Sequence, residues 1–377
     1  MVTAEAIIKN LNENMTEELA LSNPHQYYDV NDFQNISNAL ARNVSVKKCF
    51  ISLKNANLGS KEQENIRKEK ITKFLKVLEA LKDNHNLTTV EIDLHADSRN
   101  SYDFSIIDTV LSNPIMKSLI ITLRGDSNSA ATALRSLKTN NTLEALTING
   151  FNIHEVNEKY RDHIESEVLE SLAYGLAQNI SLREFNFNGD ISLPVVAALK
   201  NNKRITEFNH FGGAAKDDDT FIELTEMIRH NKSLKKINLS GDYIGFCPYN
   251  PIQPYGQQNN KKKDSEVIPA QDRKIIALAS ALKTNTNLEA VTLNLSATDV
   301  GNRALVDALK DKKIPVNLKL SIVGGGFHPI ALSLATDIAI VQLELSYFSV
   351  SRVALDGDSL LCAVKLKFTR SISGIAL

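Results

Sequence analysis

The chain has 377 residues, with 43 lysines and arginines against 44 aspartates and glutamates and a formal net charge of −1. Such a balance excludes the marked basic excess or stripe of a nucleic-acid binder, and no apolar run approaches the roughly 18 residues that would insert into a membrane. Three cysteines, Cys49, Cys247 and Cys362, are far apart and odd in number, which argues against a disulfide framework and for a cytoplasmic, reducing setting. Residues 1–35 read as an N-terminal helical cap. Ile7, Ile8 and Leu11 have helical spacing, and Thr16 and Leu19 open a second short apolar patch. Glu5, Lys9 and Glu13 among them argue against a secretory signal.

From residue 36 to the end the chain repeats itself. An Asn is followed by apolar residues at +3, +6 and +8, as in Asn84/Leu87/Val90/Ile92, Asn140/Leu143/Leu146/Ile148, Asn179/Leu182/Phe185/Phe187, Asn231/Leu234/Ile237/Leu239 and Asn285/Leu288/Val291/Leu293. Units led by Asn43, Asn113 and Asn202 belong to the same series, and weaker ones start at Lys312, Asp337 and Asp358. Several intervals are 27 or 29 residues. A fixed internal period implies stacked units, each burying its core against its neighbours. Before the anchors lie stretches such as Leu172 and Leu176, Leu224 and Ile228, or Leu278, Ala281 and Leu282, whose spacing predicts a helix with one apolar face. The Asn is expected just past the helix end in a left-handed turn. The alternation at +6, +8 and +10 predicts a strand with one buried face. Cys49 occupies a +6 slot and should be a buried apolar residue. His210 occupies a +8 slot, as a hydrogen-bonded core imidazole or a titrating switch.

The Leu-x2-Leu-x-Leu core preceded by Leu-Lys-x-Asn resembles leucine-rich repeats of the ribonuclease-inhibitor-like subtype. The stretch Ala281–Glu289 also looks like the repeat domain of tropomodulin-type proteins. The Asn- and Lys-rich style is similar to repeat proteins that intracellular bacteria, Legionella especially, deliver into host cells. The resemblance covers roughly residues 36–368. It implies an α/β fold: a leucine-rich repeat solenoid, or horseshoe, with a parallel concave sheet and convex helices, in a domain spanning 36–377. One departure concerns the slot three residues after the core, where the family places an Asn and this chain has Phe151, Asp190, Asp242 and Ser296. The family's ladder of side-chain bonds is therefore expected to be broken or replaced.

Three intervals are too long, and their excess is assigned to inserts at 54–70, 150–165 and 242–273 that leave the same rim. The third holds Tyr243, Phe246, Tyr249 and Tyr255 among Pro248, Pro251 and Pro254, followed by Lys261–Lys263. Aromatics between prolines lose little entropy on docking, which suits a recognition loop; the alternative is a floppy surface loop with a basic tail. Beyond Leu366 and Phe368 no polar capping helix follows: either the sequence stops short there or the last strand finds a partner, since an uncovered C-terminal strand edge can recruit another chain, a second copy included.

No chemistry emerges from the motifs. His154 and His163 lack the neighbours of a metal site, and Gly324–Gly326 reads as a tight connection rather than a phosphate cradle. Thr220 with Glu223 reads as a capping box. No cofactor, metal or catalytic residue is assigned, and the chain is expected not to be an enzyme. Strand positions between the core slots should face solvent and bind a protein partner such as a host protein: Glu91, Asp93, Asn149, Asn186, Asn188, Asn209, Phe211, Asn238 and Asn294, with Tyr243, Phe246, Tyr249 and Tyr255 from the insert. The leading reading is a non-catalytic protein–protein interaction scaffold, a bacterial effector working in the host cytoplasm. The alternatives are a regulator of a small GTPase or of actin, by analogy with eukaryotic repeats of this subtype, and an enzyme with a site on the rim.

Overall fold

The computed structural model describes residues 3–22, 28–53, 69–70, 74, 76–77, 79–81, 84–95, 105–124, 128–151, 158–211, 218–240, 270–297, 299–309, 314, 316–323, 340–355 and 358–371. The chain divides into two compact units, residues 1–189 with 201–205, and residues 190–200 with 206–377. In the first unit helices alternate with parallel strands: α1 (Ala4–Asn12), β1 (Glu18–Ser22), α2 (Val30–Arg42), β2 (Lys48–Leu53), β3 (Thr89–His95), α3 (Ser105–Leu111), β4 (Ser118–Arg124), α4 (Asn128–Arg135), β5 (Ala145–Phe151), α5 (Glu158–Gln178) and β6 (Glu184–Gly189). Strands β1 to β6 pair in chain order, each parallel to the next. Parallel neighbours need a crossover, and the helices supply it.

The second unit continues with α6 (Leu193–Asn201), β7 (Glu207–His210), α7 (Asp218–His230), β8 (Lys236–Ser240), α8 (Ala270–Thr284), β9 (Ala290–Ala297), α9 (Asp299–Leu309), β10 (Val316–Val323), β11 (Ile340–Leu355) and β12 (Asp358–Ser371). Strands β7 to β11 are parallel to their sequential neighbours. The architecture within each unit is thus an α/β stack of strand-plus-helix repeats, in agreement with the periodicity. Where their burial is described, the +6 and +8 residues form the core, from Leu19, Leu21, Cys49 and Ile51 through Phe185 and Phe187 in the first unit, and Phe208, Ile237, Leu239, Val291 and Leu293 in the second. The helix residues Leu172, Leu176, Leu224, Ile228, Leu278, Ala281 and Leu282 are buried opposite them. Helices approach closely at Gly175, where a methyl group would lie 2.5 Å from the Leu134 carbonyl oxygen and 2.9 Å from Leu137 Cβ.

The anchor Asn works differently from expectation. Asn43, the C-cap of α2, has φ −76° and ψ 133°, an extended conformation. Among the described non-glycine residues the left-handed backbone belongs to Asn14, with φ 53°. The anchors Asn43, Asn84, Asn113, Asn140, Asn179, Asn202, Asn231 and Asn285 are instead buried, and each carboxamide bonds in two directions. Its Nδ2 donates to the carbonyl at the helix end of the preceding repeat: Asn43 to Leu11 at 2.7 Å, Asn113 to Leu81 at 2.8 Å, Asn140 to Leu111 at 2.6 Å, and Asn285 to Ile228 at 2.6 Å. Its Oδ1 accepts from its own turn, as Asn231 does from Ser233 and Leu234 backbone N–H at 2.8 and 2.9 Å. A carboxamide is chosen because it carries donors and acceptors together. Orphan carbonyls at helix C-termini need partners when buried, and the neighbouring repeat provides them. Within each unit the anchor Asn therefore carries a side-chain ladder from repeat to repeat.

Several boundaries differ from the sequence reading. Within residues 1–35, expected as a helical cap, Glu18–Ser22 forms β1 and pairs with β2, Leu19 opposite Cys49. Helix α2 opens with a capping box between Asp29 and Asp32. Helix α7 starts at Asp218, so Thr220 lies within its first turn and the box with Glu223 is not the start. Within the 150–165 insert, Glu158 already begins α5, a helix of 21 residues. The units placed at Lys312 and Asp337 are out of register by two: Leu318 pairs opposite Leu293, and Leu343 opposite Leu318. The segment led by Asp358 is no repeat, since β12 runs antiparallel to β11 as a hairpin.

Candidate partner-binding face

In a strand the residues at +5, +7 and +9 point away from the core that +6 and +8 fill. Backbone register then decides which of them become neighbours. In the first unit one row runs Phe50, Glu91, Ile120, Thr147, Asn186, and the next runs Ser52, Asp93, Thr122, Asn149, Asn188. Glu91, Asp93, Asn149 and Asn186 are half-buried, and Asn188 is exposed. The sequence-predicted residues of this unit are thus brought onto adjacent strands of one face. In the second unit Asn209, Asn238 and Thr292 form one row, and Ser240 with Asn294 the next. Phe211 follows directly after β7 and is 47% exposed. Tyr243, Phe246, Tyr249 and Tyr255 lie outside the described residues, as do His154 and the Gly324–Gly326 turn.

Hydrogen bonds within the face hold these amides in place. Asn186 Nδ2 donates to Thr147 Oγ1 at 3.0 Å and to Glu184 Oε1 at 2.8 Å. Asn149 Nδ2 donates to Thr122 Oγ1 at 3.4 Å. In the second unit Asn209 Nδ2 donates to Glu207 Oε1 at 3.2 Å, and Ser240 Oγ to Asn238 Oδ1 at 2.7 Å. The motif Glu-Phe-Asn recurs at 184–186 and 207–209; strand periodicity puts the Glu and Asn on the same side, two residues apart, with the Phe in the core. Both glutamates were missed in the sequence, although this recurrence marks them. Phe50 and Ile120 were also missed. Each occupies the +7 slot of a unit that had been recognised, and each pairs directly opposite Glu91.

Ion pairs line the strand entrances, exposed for Lys47 on Glu17 at 2.7 Å and Lys117 on Glu144 at 2.6 Å in the first unit, and with a half-buried carboxylate for Lys236 on Glu207 at 3.3 Å in the second. Such pairs contribute little to stability, and they consume charge at the lower border of the face. On the core side His210 is fully buried and stacks on Phe208 with centroids 6.3 Å apart. Burial pushes the Cys49 thiol up to about 12, so it stays a protonated, apolar core group.

A shallow depression of about 520 Å3 lies where the turns at Asn113 and Asn140 meet the ends of their preceding helices. Two of its hydroxyls are committed locally: Ser112 donates to the Thr109 carbonyl at 2.7 Å and Thr139 to the Ser136 carbonyl at 3.0 Å. Among the described residues no three His, Cys, Asp or Glu side chains are grouped to hold a metal ion, and no helix is long and apolar enough to cross a membrane. No protein-family model matches the chain, and no curated protein matches it.

Proposed function

We propose that this protein is a non-catalytic interaction scaffold that binds a protein partner through the strand faces of its repeats. The observation that carries the reading is the pair of rows in the first unit, Glu91 to Asn186 and Asp93 to Asn188, polar apart from Ile120 and held in register on strands whose opposite side is the core. A row of amides and carboxylates fixed by neighbouring strands is preorganised, and preorganisation reduces the cost of docking. The repeats are of the leucine-rich, ribonuclease-inhibitor-like kind that the motif resembles. The likeness to delivered bacterial repeat proteins makes a host protein in the host cytoplasm the partner of choice.

A photo-crosslinking amino acid placed at Asn149 or Asn238 tests this. Discrete crosslinked products from those positions, and none from the helix residue Ile222, which is 56% exposed, are the expected result. Products from Ile222 alone, or from no position, overturn the reading.

A further inference from the structure

The chain holds two Asn-Gly pairs, Asn149-Gly150 and Asn188-Gly189. Both lie in the first unit, and strand pairing sets Asn149 on β5 directly opposite Asn188 on β6. An Asn before Gly is chemically labile. A following residue without a Cβ leaves the side-chain carbonyl carbon open to attack by its backbone nitrogen. The fold treats the two pairs differently. Asn149 is half-buried, and its Nδ2 donates to Thr122 Oγ1 at 3.4 Å. Strand β5 runs on past it to Phe151, so Gly150 is enclosed within the strand. Asn188 is exposed, and Gly189 is the last residue of β6. Among the described residues no hydrogen bond holds the Asn188 carboxamide. Chain at the end of an element opens at lower cost than chain inside it.

We infer that Asn188 is a site of spontaneous covalent modification by intramolecular cyclisation, a conversion that Asn149 escapes while the protein is folded. The Gly189 backbone nitrogen attacks Asn188 Cγ. A new N–C bond forms, the bond from Cγ to Nδ2 breaks, and the backbone proton leaves with that nitrogen as ammonia. Water then opens the cyclic imide at either carbonyl and yields aspartate or isoaspartate. In sum an amide and a water become a carboxylate and an ammonium ion, with nothing oxidised or reduced. Either product sets a negative charge in the row that Asn188 shares with Asp93 and Asn149. Isoaspartate also routes the main chain through Cβ, which lengthens it and disturbs the pairing of Gly189 with Phe151. The conversion needs no partner and so stands apart from the scaffold reading.

The test is prolonged incubation of the full chain at physiological pH and temperature, followed by peptide mapping with fragment mass spectrometry. Conversion shows as a gain of about 1 Da at the modified residue, and an enzymatic methyl-transfer assay identifies isoaspartate. In the native protein Asn188 should convert at least about tenfold faster than Asn149, which must wait for its strand to open. In guanidinium chloride, where the fold no longer separates them, the two rates should agree within about threefold. Gly189→Ala should slow conversion of native Asn188 at least about tenfold, because its methyl group crowds the attacking nitrogen. Circular dichroism establishes that this variant is folded; should it not be, the comparison of native with unfolded wild type decides. An unconverted Asn188 in the native protein, equal native rates at the two sites, a lead for Asn149, or a folded Gly189→Ala chain that converts as fast as wild type overturns the inference.

Discussion

Asn179 donates from Nδ2 to the carbonyl oxygen of Leu137, 2.6 Å away in space and 42 residues back in the chain. The same amide group reaches the Asn140 carbonyl at 2.9 Å, while Oδ1 accepts from the Ser181 and Leu182 backbone N–H groups at 3.0 and 2.7 Å. One side chain thereby joins the helix end of one repeat to the strand entrance of the next, in a site 2% exposed. Asn179→Ala should cost about 1–3 kcal/mol in urea unfolding, the usual cost of leaving buried backbone groups unsatisfied. Asn179→Asp should cost more than the alanine, because it loses both donors and sets a carboxylate against two carbonyl oxygens. An aspartate as stable as wild type contradicts the bidirectional role.

Leu234 and Leu288 occupy the +3 slot and are 1% and 3% exposed. Truncating either to alanine removes buried methyl groups and leaves a cavity, at a cost of about 2–5 kcal/mol. The urea midpoint of each variant measures it. A loss inside the roughly 0.5 kcal/mol range of surface changes contradicts the packing.

Gly175 sits against the backbone of Leu134, and a Cβ there meets the Leu134 carbonyl oxygen and the Leu137 side chain. Gly175→Ala raises helix propensity but forces α5 away from α4 and the turn at Ser136–Lys138. Overpacking should win, with a net loss of about 1–3 kcal/mol. A stabilised variant in thermal unfolding would show that the two helices part without cost.

Cys49 is fully buried, and its thiol is raised to about 12 from an ordinary value of 9.0. The folded state therefore keeps a proton that the unfolded state loses above pH 9. Stability from this group is complete below pH 9 and declines between pH 9 and 12, by about 1.4 kcal/mol per pH unit in that window. Urea midpoints at pH 8 and 10 should separate more for wild type than for Cys49→Ala. Alkylation followed by mass spectrometry should label Cys49 only after unfolding; rapid labelling of the native protein at pH 8 contradicts its burial.

Within each unit the alternation of helix and strand, the core slots and the solvent-facing slots were all legible in the residues, because each depends on local periodicity. Period two assigns Glu91 and Val90 to opposite sides without knowledge of any other strand. It leaves register open by two residues: a slip of two keeps every side chain on the same side, so the Lys312 and Asp337 units satisfied the pattern while the backbone pairs Leu318 with Leu293. Only a slip of one would have exposed the core. Strand direction is equally silent in the pattern, and the alternation of β12 suits an antiparallel hairpin as well as a further repeat.

What the amino-acid order determined by itself was therefore the repeating α/β unit and the side of each strand a residue occupies. The tertiary structure alone decided what the anchor Asn does and which residues meet. The carboxamide at Asn179 is satisfied by a carbonyl from another repeat, and Phe50 and Ile120 meet Glu91 only through strand pairing. Such relationships arise between segments tens of residues apart, where hydrogen-bond register rather than local propensity sets the distance.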